Sequence, residues 1–150
     1  MAFLDSWEEE LNDFVKKHYS GFFNKNGFKF LKKEAGQGGG AMIFSDSAVL
    51  LEIATNKNMF MIKIGKEEGQ FLGLDMIKAN FKITDYRIDD DDVVNRKKAL
   101  LDGFNADDYS GNVTYLTNNF NKIKNLFSSA NYNETKVQLE KLSLEKLKYV

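Results

Sequence analysis

The sequence predicts an α+β domain: an N-terminal helix, then an antiparallel sheet of three or four strands, then C-terminal helices packed on one face of the sheet. Three observations predict it. Apolar residues between positions 5 and 24 recur at spacings of three and four. From residue 28 to 64 the pattern changes to short alternating runs, and the polar links between them are too short for a parallel crossover. From residue 91 onward the helical period returns. Strands grouped first and helices grouped last indicate α+β rather than alternating α/β order.

Taken in order, the first helix covers residues 5–24, with Trp7, Leu11, Phe14, Val15, His18 and Phe22 on one stripe. Ser6 and Glu9 fit a capping box, in which each side chain satisfies a free backbone N–H of the first turn. Glu8, Glu9 and Glu10 come early and Lys16 and Lys17 late, which suits the helix dipole. Asn26 and Gly27 supply a left-handed exit. Residues 28–33 read as a strand, and Glu34 to Gly40 as a flexible glycine-rich turn. Residues 41–45 and 48–54 read as two strands, or one bulged strand, broken at Asp46-Ser47. After a tight turn at Asn56-Lys57-Asn58 comes a strand over 59–64. Val49, Leu51 and Ile53 then share a face, as do Phe60, Ile62 and Ile64. A turn at 66–70 leads into a short helix within residues 72–81, with Leu74, Ile77 and Phe81 inward. Three helices follow: 91–104 with Val94, Leu101 and Phe104 inward, 112–127 with Leu116, Phe120, Ile123 and Phe127, and 131–148 with Leu139, Leu142 and Leu147. Asn131 and Glu134 form a second candidate capping box. No repeat and no long linker divides residues 1–150, so a single domain is expected.

Composition narrows the chemistry. At 150 residues with 13 phenylalanines and 43% hydrophobic residues, the chain has ample material for a core. A formal net charge of −1 offers no global field to nucleic acid or membranes, and the basic clusters Lys16-Lys17, Lys32-Lys33 and Arg96-Lys97-Lys98 are short and scattered. Neither a nucleic-acid nor a membrane partner is expected. Aromatic residues do not interleave with a basic strip, as stacking on bases would require. Cysteine is absent, which excludes disulfides and thiolate metal sites and points to a reducing compartment. The N-terminus has neither a basic leader nor an apolar signal core, so a cytoplasmic location is expected. Of the 21 cationic residues only Arg87 and Arg96 are arginines, so only they could grip a carboxylate or phosphate with a planar fork.

Each motif-like feature has a plain structural account. Gly36, Gly38, Gly39 and Gly40 precede a strand rather than a helix, and no Gly-Lys-Ser/Thr follows, so they read as a hairpin turn and not a phosphate loop. His18, the one histidine, lies on an apolar stripe and reads as a core-edge residue. It leaves any zinc site short of ligands and any triad with a single base. Asp89, Asp90, Asp91 and Asp92 form the densest charge run. They fail the calcium-loop pattern, because position 6 is Val94 and position 12 is Leu100 where Gly and Glu are needed. The run suits the N-terminus of the following helix, and its exposed carboxylates could also meet a basic partner. Among 22 acids, spacing selects no catalytic pair. No catalytic residue, metal or cofactor is expected, and whether the chain is an enzyme stays open, with binding favoured.

Several stretches together resemble a set of small uncharacterised bacterial α+β proteins, some of them immunity-type partners of toxins. They are the Trp7–Phe22 helix, the Asn26-Gly27-Phe28 step, the Ala48–Ile64 hairpin, Tyr115-Leu-Thr-Asn-Asn-Phe-Asn-Lys-Ile, Leu126-Phe127 and Tyr132-Asn-Glu-Thr. Such proteins often carry charged residues near the turn of the strand pair. Here that turn holds only Lys57. The shared positions are mostly core and cap residues, so the resemblance implies a fold and carries over no catalytic residue. Together with the small size, the lack of chemistry motifs and the acidic run, the resemblance leads to the expectation of a protein-binding module, an immunity-like inhibitor of a basic partner that Asp89–Asp92 would meet. The alternatives are a small-molecule-binding domain or hydrolase with a pocket between sheet and helices, and a homodimer formed through a sheet edge.

Overall fold

The computed structural model describes residues 6–36, 38–56, 59–66, 70–104 and 109–149. The leading helical stretch is two helices, α1 (Ser6–His18) and α2 (Ser20–Asn26), where the spacing predicts one. Between them Tyr19, fully buried, takes φ −114° and ψ −12°. Ser20 Oγ donates to the Lys16 carbonyl at 2.7 Å, and a hydroxyl bonded back one turn bends a helix. Gly27 closes α2 in the left-handed region at φ 72°, as the Asn26-Gly27 step predicts.

The strands are β1 (Lys29–Gly36), β2 (Gly39–Ser45), β3 (Leu50–Asn56), β4 (Met59–Gly65) and β5 (Phe71–Gly73). Each pairs antiparallel with its chain neighbour, in the order β1-β2-β3-β4-β5. The sheet therefore has five strands where the sequence predicts three or four. The additional one, β5, has three residues, too few for alternation to show. The glycine-rich segment also differs from expectation. Gly36 ends β1 and pairs with Gly39 at the start of β2, so most of the expected turn is ladder. Gln37 lies outside the described residues. A side chain on Gly39 would strike the backbone carbonyl of Thr55, and one on Gly40 would lie 2.6 Å from the Trp7 ring. These glycines let β3 and α1 approach closely.

The remaining helices are α3 (Leu74–Asp85), α4 (Val93–Phe104), α5 (Tyr109–Leu126) and α6 (Tyr132–Leu147). The predicted stripe of α5 is buried throughout. Two inward assignments are overturned: Val94 on α4 and Leu147 on α6 are exposed. In α4 the buried stripe is instead Arg96, Ala99 and Leu100. The Phe104 and Ser6 side chains, and with Ser6 the first capping box, lie outside the described residues. The second capping box does not form. Asn131 has no side-chain capping bond, and its Nδ2 donates to the Asn125 carbonyl at 3.0 Å.

All the helices contribute to one core on one side of the sheet. Leu11, Phe14, Phe22, Phe23, Ile77, Leu100, Phe120 and Leu139 join the sheet residues Met42, Phe44, Leu51, Ile53, Ile62 and Ile64. Phe14 stacks on Phe60 with ring centres 3.9 Å apart, and Phe23 meets Phe44 at 4.4 Å. The opposite sheet face carries the alternate residues. There Lys32, Ile43, Glu52 and Lys63 stand in register across four strands, and Lys32 pairs with Glu34 at 2.8 Å. Among the described residues no helix is long and apolar enough to cross a membrane.

Candidate protein-binding surface

The four aspartates occupy the connection between α3 and α4, and the structure gives them different tasks. Asp92 directly precedes α4. Its Oδ1 accepts the Asn95 N–H at 3.2 Å and its Oδ2 accepts from Asn95 Nδ2 at 2.7 Å, which caps the helix. Asp90 turns the other way, with Oδ1 3.2 Å from Arg96 Nη1 and Oδ2 3.1 Å from Lys141 Nζ. The Lys141 hydrogen bond and charge, then the Arg96 charge, hold its carboxyl below the usual carboxylate range. Asp89 and Asp91 are exposed, and neither carboxylate has an ion-pair partner among the described residues. Capping thus accounts for Asp92 and internal pairing for Asp90. Asp89, Asp91 and Asp92 have no cationic partner among the described residues, and of these Asp89 and Asp91 are the exposed ones.

Asp90 is anchored by a buried arginine. The Arg96 side chain is only 6% exposed and faces Glu145 of α6, with Nε 3.2 Å from Oε2 and Nη2 on Oε1. The hydrogen bonds that Arg96 donates to Glu145, with the Glu145 and Asp90 charges, outweigh burial and raise the guanidinium pKa further. This fork ties α4 to α6. Beside it a cleft of about 310 Å³ opens between the two helices, with Asp90, Val93 and Arg96 on one wall and Lys141, Leu144 and Glu145 on the other. Val93 is 60% exposed and Leu144 66%. Val94, the next residue of α4, is 78% exposed. The cleft therefore sets exposed aliphatic side chains over the Arg96–Glu145 and Asp90–Lys141 pairs, with Lys148 on its lining without an ion-pair partner among the described residues and the unpaired Asp91 two positions before Val93 in the chain. Such a surface suits recognition: apolar area supplies affinity and the acidic rim supplies orientation.

The other candidates fall elsewhere. His18 is half-buried at the core edge, its ring 4.9 Å from that of Phe14. Arg96 points inward while Lys97 and Lys98 are exposed, which splits that basic cluster. Lys33 pairs with Glu8 at 2.7 Å. Lys57 lies outside the described residues. Among the described residues no group of three or more His, Asp or Glu side chains is placed to hold a metal ion. Sequence reasoning missed the Arg96–Glu145 link. Its signal was present: Arg96 lies in helical phase with Leu100, and Glu145 in phase with Leu142, so both fall on stripes that are otherwise apolar. Compared with known proteins, the chain matches no family model, no curated protein and no solved structure.

Proposed function

We propose that the chain is a protein-binding module of the bacterial cytoplasm that works without catalysis, as an immunity-like inhibitor holding a basic partner. The observation that carries this reading is the surface at the start of α4. Asp89 and Asp91 stand without an ion-pair partner among the described residues in the segment leading into α4, where Val93 and Val94 are exposed, and Leu144 is exposed across the cleft from Val93. Carboxylates of this kind steer a basic partner during encounter, and the aliphatic side chains are covered once it docks. Asp90 belongs to the scaffold, since its charge is committed to Arg96 and Lys141.

The test is a binding measurement on a complex recovered from the native host. The double variant D89N/D91N should lower the association rate and flatten its salt dependence, while L144S should raise the dissociation rate. Recovery of no stoichiometric partner, or kinetics unchanged in both variants, would remove the reading. The edge strand β1 favours a second reading, pairing with another copy of the chain, because among the described residues only β2 pairs with it and its Phe30 and Leu31 are exposed. Light scattering of the purified protein decides it: a dimeric mass supports edge pairing and a monomeric mass eliminates it.

A further inference from the structure

A second cleft lies on the other side of α4, and its chemistry differs from that of the first. It has a volume of about 470 Å³, within the roughly 300–1,000 Å³ range of small-molecule sites. One wall is the stripe Asn95, Lys98 and Asp102 of α4, and the other is Lys82, Tyr86 and Arg87 at the end of α3. Of the two acids of this cleft, Asp102 pairs with Lys82 at 3.1 Å, while Asp92 accepts from the neutral Asn95 and keeps its charge, so the lining carries one more positive charge than negative. Arg87 and Lys98 have no ion-pair partner among the described residues, so two unspent cations line one cavity.

The backbone at Arg87 adds an independent observation. Helix α3 ends with the Ile88 N–H on the Ile83 carbonyl at 2.9 Å and the Arg87 N–H on the Thr84 carbonyl at 3.3 Å. This pair of bonds places Arg87 at the left-handed position where glycine is normally found, and its φ is 52°. A side chain there costs stability that glycine would not cost. The residue is also one of only two arginines in the chain, and the other is buried against Glu145. A strained position held by a scarce, planar, bidentate donor that opens onto a cavity is an arrangement suited to an oxyanion. Tyr86, 78% exposed at the rim, offers a ring face on which a planar group can lie.

We propose that the cleft between α3 and α4 binds a small molecule bearing a phosphate and an aromatic ring, with Arg87 gripping the phosphate, Lys98 adding charge and Tyr86 stacking on the ring. The test is an NMR titration of the full-length ¹⁵N-labelled protein with adenosine 5′-monophosphate, ribose 5-phosphate, inorganic phosphate and adenosine, each to about 10 mM, which reaches the millimolar affinities of weak sites. The monophosphate should shift amides within residues 82–102, and adenosine should bind at least about tenfold more weakly for want of the charge-assisted bonds. R87G should lose at least about tenfold in affinity while its melting temperature holds or rises, because glycine suits the left-handed position. K98M should weaken binding severalfold with an unchanged fold. Tight binding of ribose 5-phosphate equal to that of the monophosphate would overturn the role of Tyr86. The whole proposal is overturned if the monophosphate leaves residues 82–102 unmoved, or if R87G binds it as well as the natural chain does.

Discussion

A methyl group added at Gly39 would run into the Thr55 carbonyl oxygen, a backbone atom of a central strand that cannot step aside. The same group added at Gly36, its partner across the hairpin, would meet nothing within 4 Å. Two glycines three positions apart thus have opposite sensitivities. G39A should cost about 3 kcal/mol, the upper end of overpacking penalties, while G36A should lie within about 0.5 kcal/mol of the natural protein. Urea denaturation of both variants checks this, and similar midpoints for the two would contradict the close approach of β2 and β3. Buried polar atoms show the same dependence on immediate surroundings. The Tyr19 hydroxyl and Thr55 Oγ1 are buried without a hydrogen-bond partner among the described residues, and burial alone pushes the Tyr19 phenol well above its usual range.

Between elements, the turn joining β2 to β3 is fastened by one carboxylate. Asp46 Oδ1 accepts the N–H groups of Ala48 at 2.9 Å and Val49 at 2.8 Å, and Oδ2 lies 3.1 Å from Lys124 Nζ on α5. Burial would raise the Asp46 pKa, but the two N–H groups and Lys124 together outweigh it and hold the carboxyl low. A carboxyl lowered on folding stabilises fully above its unfolded pKa of about 3.9, and that contribution is lost as pH falls through the lower folded value. The stability difference between the natural protein and D46N should therefore be largest near neutrality and shrink below about pH 4. Melting temperatures of both across pH 7 to 2 test this, and a constant gap would show that Asp46 acts without its charge. The Arg96–Glu145 fork is the corresponding fastening between α4 and α6. Removing Arg96 would leave the largely buried Glu145 carboxylate without its partner, whereas removing Glu145 would leave Arg96 with Asp90 alone.

At the scale of the molecule, what the sequence made legible is what repeats. The stripes of α1, α5 and the strand triplets Val49-Leu51-Ile53 and Phe60-Ile62-Ile64 give a period over several turns or strand steps, and the core follows from them. Elements without room for a period were hidden, as in the three residues of β5, or were merged, as α1 and α2 were across Tyr19. Exposure of Val94 and Leu147 was not legible because an apolar residue reads as core whether or not another helix covers it. The aspartate run was visible as a cluster, but the division of labour within it depends on Arg96 and on Lys141, which lies some fifty positions downstream. The sheet order has a temporal consequence. Because every strand lies beside the one made just before it, pairing can advance hairpin by hairpin, and no long loop must close before a contact forms. Refolding from urea, followed by stopped-flow fluorescence of Trp7, should be complete in well under about a second. A dominant phase lasting many seconds would mean that helix docking, and not strand zipping, sets the pace.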